Sequence, residues 1–245
     1  MVSTSSSSGV RVVFFDVGGT ILRVQPSVGE VYARAASDHG HRVDASTLDE
    51  RFRHAWQESL VRSRARGHRC SDQTLRDSWF RIVSRTFDDS VPASELPALF
   101  DDIYERFVSP HAWTVVPGAR DTFEMLRERG LRLGILSNWD SRLRVTLQRL
   151  ELLELFDHVV ISHEVGFEKP HDTMFRTALR ACGEAPELVL HVGDSLEADI
   201  FAARERGLRT FWIADRQRIA AVEAAGPGGP SFATLSRTEW DSLLS

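Results

Sequence analysis

The sequence predicts a doubly wound parallel α/β sheet interrupted by an all-helical insertion, and three observations predict it. Short runs rich in β-branched and aromatic residues begin near positions 11, 131, 158, 188 and 209, each with the length and character of a buried strand. Helical patterns separate the later runs, and strands alternating with helices argue a parallel sheet. Only the first two runs stand far apart, so a separate unit is set between them.

Taken in order, residues 1–9 carry a serine run without the charged start and apolar stretch of a signal peptide, and read as a flexible lead. The first strand, Val12-Val13-Phe14-Phe15, empties through Asp16 into the tight turn Gly18-Gly19-Thr20. An α/β core is expected over 10–22 and 113–245, with a helical domain over 23–112. In the latter, apolar positions follow helical spacing at Val28, Val31, Tyr32 and Ala35, at Leu48, Phe52 and Trp56, at Leu75, Trp79, Ile82 and Val83, and from Leu96 to Phe107. Four amphipathic helices can bury those stripes against one another. Pro110 and Pro117-Gly118 mark the return to the core. Strands then follow at Leu131–Leu136, His158–Ser162, Leu188–Val192 and Arg209–Ile213. Gly226 to Pro230 reads as a loop, and Phe232 to Ser245 as a short closing strand or helix.

The chain of 245 residues has room for a core and a smaller second unit. With 42% hydrophobic and 27% charged residues it can bury a core, and its net charge of −5 argues against general nucleic-acid binding. No apolar run approaches a membrane span, so a cytoplasmic protein without membrane contact is expected. Cys70 and Cys182 have neither disulfide-framework nor metal spacing. Of the 30 Lys and Arg residues only Lys169 is a lysine, which excludes any mechanism that needs two. Residues 51–69 hold six Arg and two His against Glu58 alone. Because Arg62, Arg64 and Arg66 alternate, they scatter around a helix, and a solvated face is favoured over one turned to an anion.

Ligands of parallel sheets lie beyond the carboxyl ends of the strands. Those ends carry Asp16, then Ser137-Asn138, then Lys169-Pro170 in the loop after the third run, then Gly193-Asp194-Ser195 with Asp199 nearby. Singly, each residue is as well read as a helix cap or turn former; their joint order is the signal. The segments Val13 to Leu22, Leu136 to Leu143, Gly166 to Pro170 and His191 to Asp199 resemble the four motifs of the haloacid dehalogenase superfamily of hydrolases, and the long insertion resembles that of its phosphatase-like branch. The resemblance implies a Rossmann-like core, a mobile helical cap, magnesium and an aspartyl-phosphate intermediate. On it, Asp16 is the nucleophile and Lys169 its charge partner. Gly19, Ser137, Asn138 and Lys169 bind the phosphoryl group. Asp16, Asp194 and the Gly18 carbonyl hold Mg²⁺, with Asp199 acting from further out or through water. A small phosphorylated substrate and a monomer or weak homodimer are expected. Trp139 is open between walling the site and packing the core.

One position departs from the pattern. Phosphatases of this superfamily carry a second Asp two residues past the nucleophile, as general acid and base, where this chain has Gly18. Such a group contributes about 10²–10⁴-fold. Leaving groups that need little protonation (acyl, aryl or anhydride phosphates), a stand-in residue, a weakly active or non-catalytic phosphate- or protein-binding role, and 2-haloacid dehalogenation all remain compatible with that glycine. The phosphonate-cleaving relatives that lack the Asp use a cap lysine, which this chain does not have. Turnover of an aryl phosphate and of a 2-haloacid, each with and without EDTA, separates the classes. Phosphate release abolished by EDTA is expected; halide release indifferent to EDTA is the dehalogenase outcome.

Overall fold

The computed structural model describes residues 9–213 and 237–245; the lead before Gly9 and the 226–230 segment lie outside them. The chain begins with β1 (Val12–Phe15), leaves the core through β2 (Leu22–Val24) and returns through β3 (Trp113–Val115). Then come α5 (Ala119–Glu128), β4 (Arg132–Ser137), α6 (Arg142–Arg149), β5 (His158–Ile161), the single turn α7 (Ser162–Val165) and α8 (Asp172–Cys182). β6 (Val189–Gly193) follows, then a π-helical turn, Leu196–Phe201, running into α9 (Ala202–Arg204), then β7 (Arg209–Trp212). The end is α10 (Arg237–Leu244), so the described part of the closing segment is a helix.

Five strands form one sheet in the order β5-β4-β1-β6-β7, and every neighbouring pair is parallel. Alternate residues of each strand point to opposite faces, and both faces are covered. Val13, Phe15, Leu133, Ile135, Leu190 and Val192 pack with Phe123 and Leu126 of α5, Leu143 and Leu147 of α6, and Trp240 of α10. On the other face Val12, Phe14, Leu136 and Val189 meet Met174, Phe175 and Ala178 of α8 and Ala202 and Ala203 of α9. Double burial is why these strands read as unbroken apolar runs rather than alternating ones. β1 is central, and the chain crosses to β4 and β5 on one side before returning to β6 and β7 on the other. The crevice of such a sheet lies where the order reverses, beside the end of β1.

The insertion folds as α1 (Val28–Asp38), α2 (Ala45–Ala65), α3 (Asp72–Phe87) and α4 (Leu96–Arg106). Ser27, Asp44 and Ser71 cap the first three through their side chains, satisfying N–H groups that otherwise have no partner. Tyr32, Ala35, Leu48, Val83, Phe87, Leu99, Phe100 and Ile103 form a separate apolar cluster. The stripe of α2 is not buried throughout: Trp56 is 38% exposed and Leu60 46%. Its 21 residues outrun the 11 of α1, and Trp56 packs on Trp79 of α3 at 5.6 Å between ring centroids. At the base of the insertion β2 and β3 pair as an antiparallel ribbon, with Leu22 opposite Val115 and Val24 opposite Trp113. Three-residue strands are too short to show alternation in sequence. Among the described residues no helix is long and apolar enough to cross a membrane.

Gly134 lies opposite Phe14 in the β1–β4 pair, and a Cβ there would run into the Phe14 ring. Both positions are central to the sheet, so the ring has little room to yield. Gly134→Ala is expected to lower unfolding stability by about 1–3 kcal/mol, measured as a lower denaturant midpoint at unchanged slope.

Candidate active site

Asp16 follows β1, Ser137 closes β4 and Asp194 follows β6. Since β1 lies between β4 and β6, the three polar residues are brought together at one sheet edge from distant parts of the chain. Lys169 reaches the same point from the loop between α7 and α8. Its Nζ donates to Asp16 Oδ1 at 2.7 Å, to Asp199 Oδ1 at 2.6 Å and to the Leu136 carbonyl at 2.8 Å. An ammonium has three N–H donors, and each has an acceptor. Lys169 is 3% exposed and Asp16 7%. Ser137 Oγ donates to Asp16 Oδ1 at 3.2 Å, and Thr20 Oγ1 to Oδ2 at 3.3 Å.

Burial sets the titration of this cluster. It raises the Asp16 carboxyl above the ordinary carboxylate range; the Asp199 charge adds to the rise and Lys169 opposes it. Burial alone would lower the Lys169 ammonium, but attraction to Asp16 and Asp199 outweighs it and the ammonium is held more firmly than usual. For Asp199 burial again works against ionisation, and is overcome by Lys169 and by His191. His191 Nε2 lies 2.9 Å from Asp199 Oδ1. Because Asp199 is held ionised and can only accept, Nε2 carries the proton. Asp199 Oδ2 accepts from the Ser195 N–H at 3.0 Å. The π-helical turn at Leu196–Phe201 bears Asp199, and such turns, wider by one residue than α-helix, recur at functional sites.

Asp16, Asp194 and Asp199 each offer an oxygen within 4.8 Å of the others, so they could hold a cation. Carboxylates suit a hard divalent ion, and three of them against one ammonium leave negative charge to be balanced. The Gly18 carbonyl, in the turn that follows Asp16, accepts no hydrogen bond among the described residues. Gly19 has φ +84°, and a Cβ there would lie 2.7 Å from Asp194 Oδ2. The position needs glycine on both counts, which lets the turn bring its backbone against that carboxylate.

Asn138 has a different contact set from its neighbours. Its Oδ1 accepts from the Lys169 N–H at 2.6 Å and its Nδ2 donates to the Lys169 carbonyl at 2.9 Å, so the side chain clamps the backbone that carries the lysine. Sequence reasoning missed Thr20 and His191. The signal for His191 was a polar residue inside an otherwise apolar buried strand. It also missed the docking of the insertion. The Cys70 N–H donates to the Gly166 carbonyl at 3.0 Å and the Glu168 N–H to the His68 carbonyl at 2.8 Å. Ser63 Oγ donates to the Glu168 carboxylate, and Arg64 pairs with Glu197 at 2.5 Å. The basic segment is therefore divided: Arg62 pairs with Glu58 along α2, whereas Arg64 reaches across to Glu197 of the core, two residues before Asp199.

The model of the haloacid dehalogenase-like hydrolases matches residues 10–207, and the chain belongs to that family of hydrolases. It is 37% identical over 237 residues to haloacid dehalogenase-like hydrolase domain-containing protein 3 of Mus musculus, covering 93% of this chain and 91% of the relative. It is 41% identical over 104 residues to glyceraldehyde 3-phosphate phosphatase of Pyrococcus abyssi, 40% of this chain and 42% of that one. The crystal structure of a HAD phosphatase from Thermococcus onnurineus is similar at TM-score 0.57 and 28% identity, over 84% of this chain and 87% of that one.

Lys169→Met leaves Asp16 and Asp199 facing one another without a cation. Breaking one side of a buried pair costs about 3–5 kcal/mol, and a loss of that size in urea unfolding at neutral pH is expected. Unchanged stability would show that the pair contributes nothing to the fold.

Proposed function

We propose that the chain is a magnesium-dependent phosphatase acting on a small phosphorylated compound, with Asp16 as nucleophile. The observation that carries this reading is the Asp16 carboxylate held at the sheet edge by Lys169 and Ser137, with Asp194 and the Gly19 turn beside it. Membership of the family and the likeness to phosphatases support it. When bound, Mg²⁺ would be held by Asp16, Asp194 and the Gly18 carbonyl, with Asp199 behind them, and would supply positive charge against a dianionic substrate.

The side chains then divide the work. Asp16 attacks phosphorus, its oxygen forming a bond as the bond to the leaving oxygen breaks and the electron pair departs with it. Lys169 holds Asp16 in line and neutralises charge as it accumulates. The Ser137 hydroxyl and the Gly18 N–H donate to phosphoryl oxygens, while the Gly19 N–H is held by the Leu22 carbonyl at 2.9 Å. Asn138 holds the backbone of Lys169, and His191 and the Ser195 N–H hold Asp199 against the ammonium. The four helices of the insertion act as the cap, docked through Ser63 and Arg64, and shield the phosphoryl group from bulk solvent while admitting the water that hydrolyses it. Water then cleaves the aspartyl phosphate, releasing inorganic phosphate and restoring Asp16.

Asp16→Asn keeps the shape of the site and removes the nucleophile. Metal-dependent release of phosphate from phenyl phosphate is expected to fall at least about 10³-fold while circular dichroism is unchanged. Activity that survives the substitution overturns the reading.

A further inference from the structure

We propose that the group released from phosphorus is aromatic and lies against the indole of Trp139; this rests on the phosphatase reading and names its substrate class. A Cβ at Gly18 would lie 3.4 Å from Trp139 Cζ3, so the place where a side chain at 18 would begin is bordered by the edge of an indole. The backbone there is outside the left-handed region, and the position carries no ionisable group.

The backbone that carries the indole is firmly held. The Trp139 N–H donates to Ser162 Oγ at 3.0 Å, and its carbonyl accepts from the same hydroxyl at 3.0 Å and from the His163 N–H at 3.3 Å. Its ring packs against Trp113 at 5.1 Å between centroids, and Trp113 is fixed by Nε1–H donating to the Phe107 carbonyl at 3.0 Å. Both residues are half-buried, packed at the margin of the sheet's core. Trp139 follows Ser137, the donor to Asp16, by two residues. The wall is therefore aromatic and borders the turn that follows the nucleophile.

Two independent features select the same leaving group. Glycine at position 18 offers no side-chain proton there, which favours a leaving oxygen able to depart as its anion. A phenol has a pKa of about 10, against about 15.7 for water, so an aryl oxide leaves unprotonated far more readily than an alkoxide. An aromatic ring also gains by offset or edge contact with an indole. In the step, the Asp16 oxygen–phosphorus bond forms, the phosphorus–oxygen bond to the ring breaks, and the aryl oxide takes its proton from solvent. Water then attacks phosphorus, Asp16 is released, and the remaining proton passes to solvent.

Phenyl phosphate and cyclohexyl phosphate, similar in size but differing in aromaticity and leaving-group pKa, test this on the full chain with Mg²⁺. Trp139→Leu is expected to raise KM about threefold to tenfold for phenyl phosphate and leave that for the cyclohexyl ester within twofold; Trp139→Phe is expected to restore the phenyl value, and reads the same contact if the leucine variant does not fold. Gly18→Asp is expected to raise kcat for cyclohexyl phosphate by about 10²-fold or more and far less for phenyl phosphate. Equal changes of KM for both esters on substitution of Trp139, or equal gains from Gly18→Asp, overturn the inference while leaving the phosphatase reading intact. Hydrolysis of neither ester by the unaltered chain overturns both.

Discussion

The structure depends on one buried contact, the Lys169 ammonium shared by Asp16, Asp199 and the Leu136 carbonyl. Taking such charges out of water costs several kcal/mol each, and their attraction repays it only when geometry is good and the remaining donors and acceptors are met. Much of the surrounding architecture meets that condition. Asn138 clamps the lysine backbone, His191 and the Ser195 N–H hold Asp199, and Ser137 and Thr20 flank Asp16. An ammonium is a compact point charge, which a planar guanidinium cannot replace in this space. A chain that uses Arg at every other basic position has its single lysine here.

The sheet makes that contact possible by geometry rather than by proximity in sequence. Parallel strands end at one edge, so residues separated by more than 150 positions meet there through the central position of β1. The insertion leaves this edge through the β2–β3 ribbon and comes back onto it through the 63–70 segment. Glu168, which receives the Ser63 hydroxyl, is the neighbour of Lys169. Docking of the helices and placement of the lysine therefore share one loop, a link in chain connectivity between the surface over the site and the charge within it.

Gly18 and Trp139 give the site its individual character. The turn around Gly18-Gly19 has a carbonyl at 18 that accepts no hydrogen bond among the described residues and a left-handed glycine against Asp194. The neighbouring surface is an indole.

The sequence by itself determined the α/β sheet, the helical insertion and the candidate residues Asp16, Ser137, Lys169, Asp194 and Asp199, because double burial writes strands as apolar runs and strand ends write chemistry as polar residues just beyond them. It did not show the ribbon at Leu22–Val24 and Trp113–Val115, whose strands are too short for a period to appear. Nor did it show that Asn138 binds the lysine backbone, that His191 holds Asp199, or that Arg64 grips Glu197. Those are side-chain contacts between segments that spacing does not pair, 8 residues apart for His191 and Asp199 and 133 for Arg64 and Glu197, where side-chain direction decides the partner. Spacing along a sequence carries no record of direction, so only the tertiary structure could decide them.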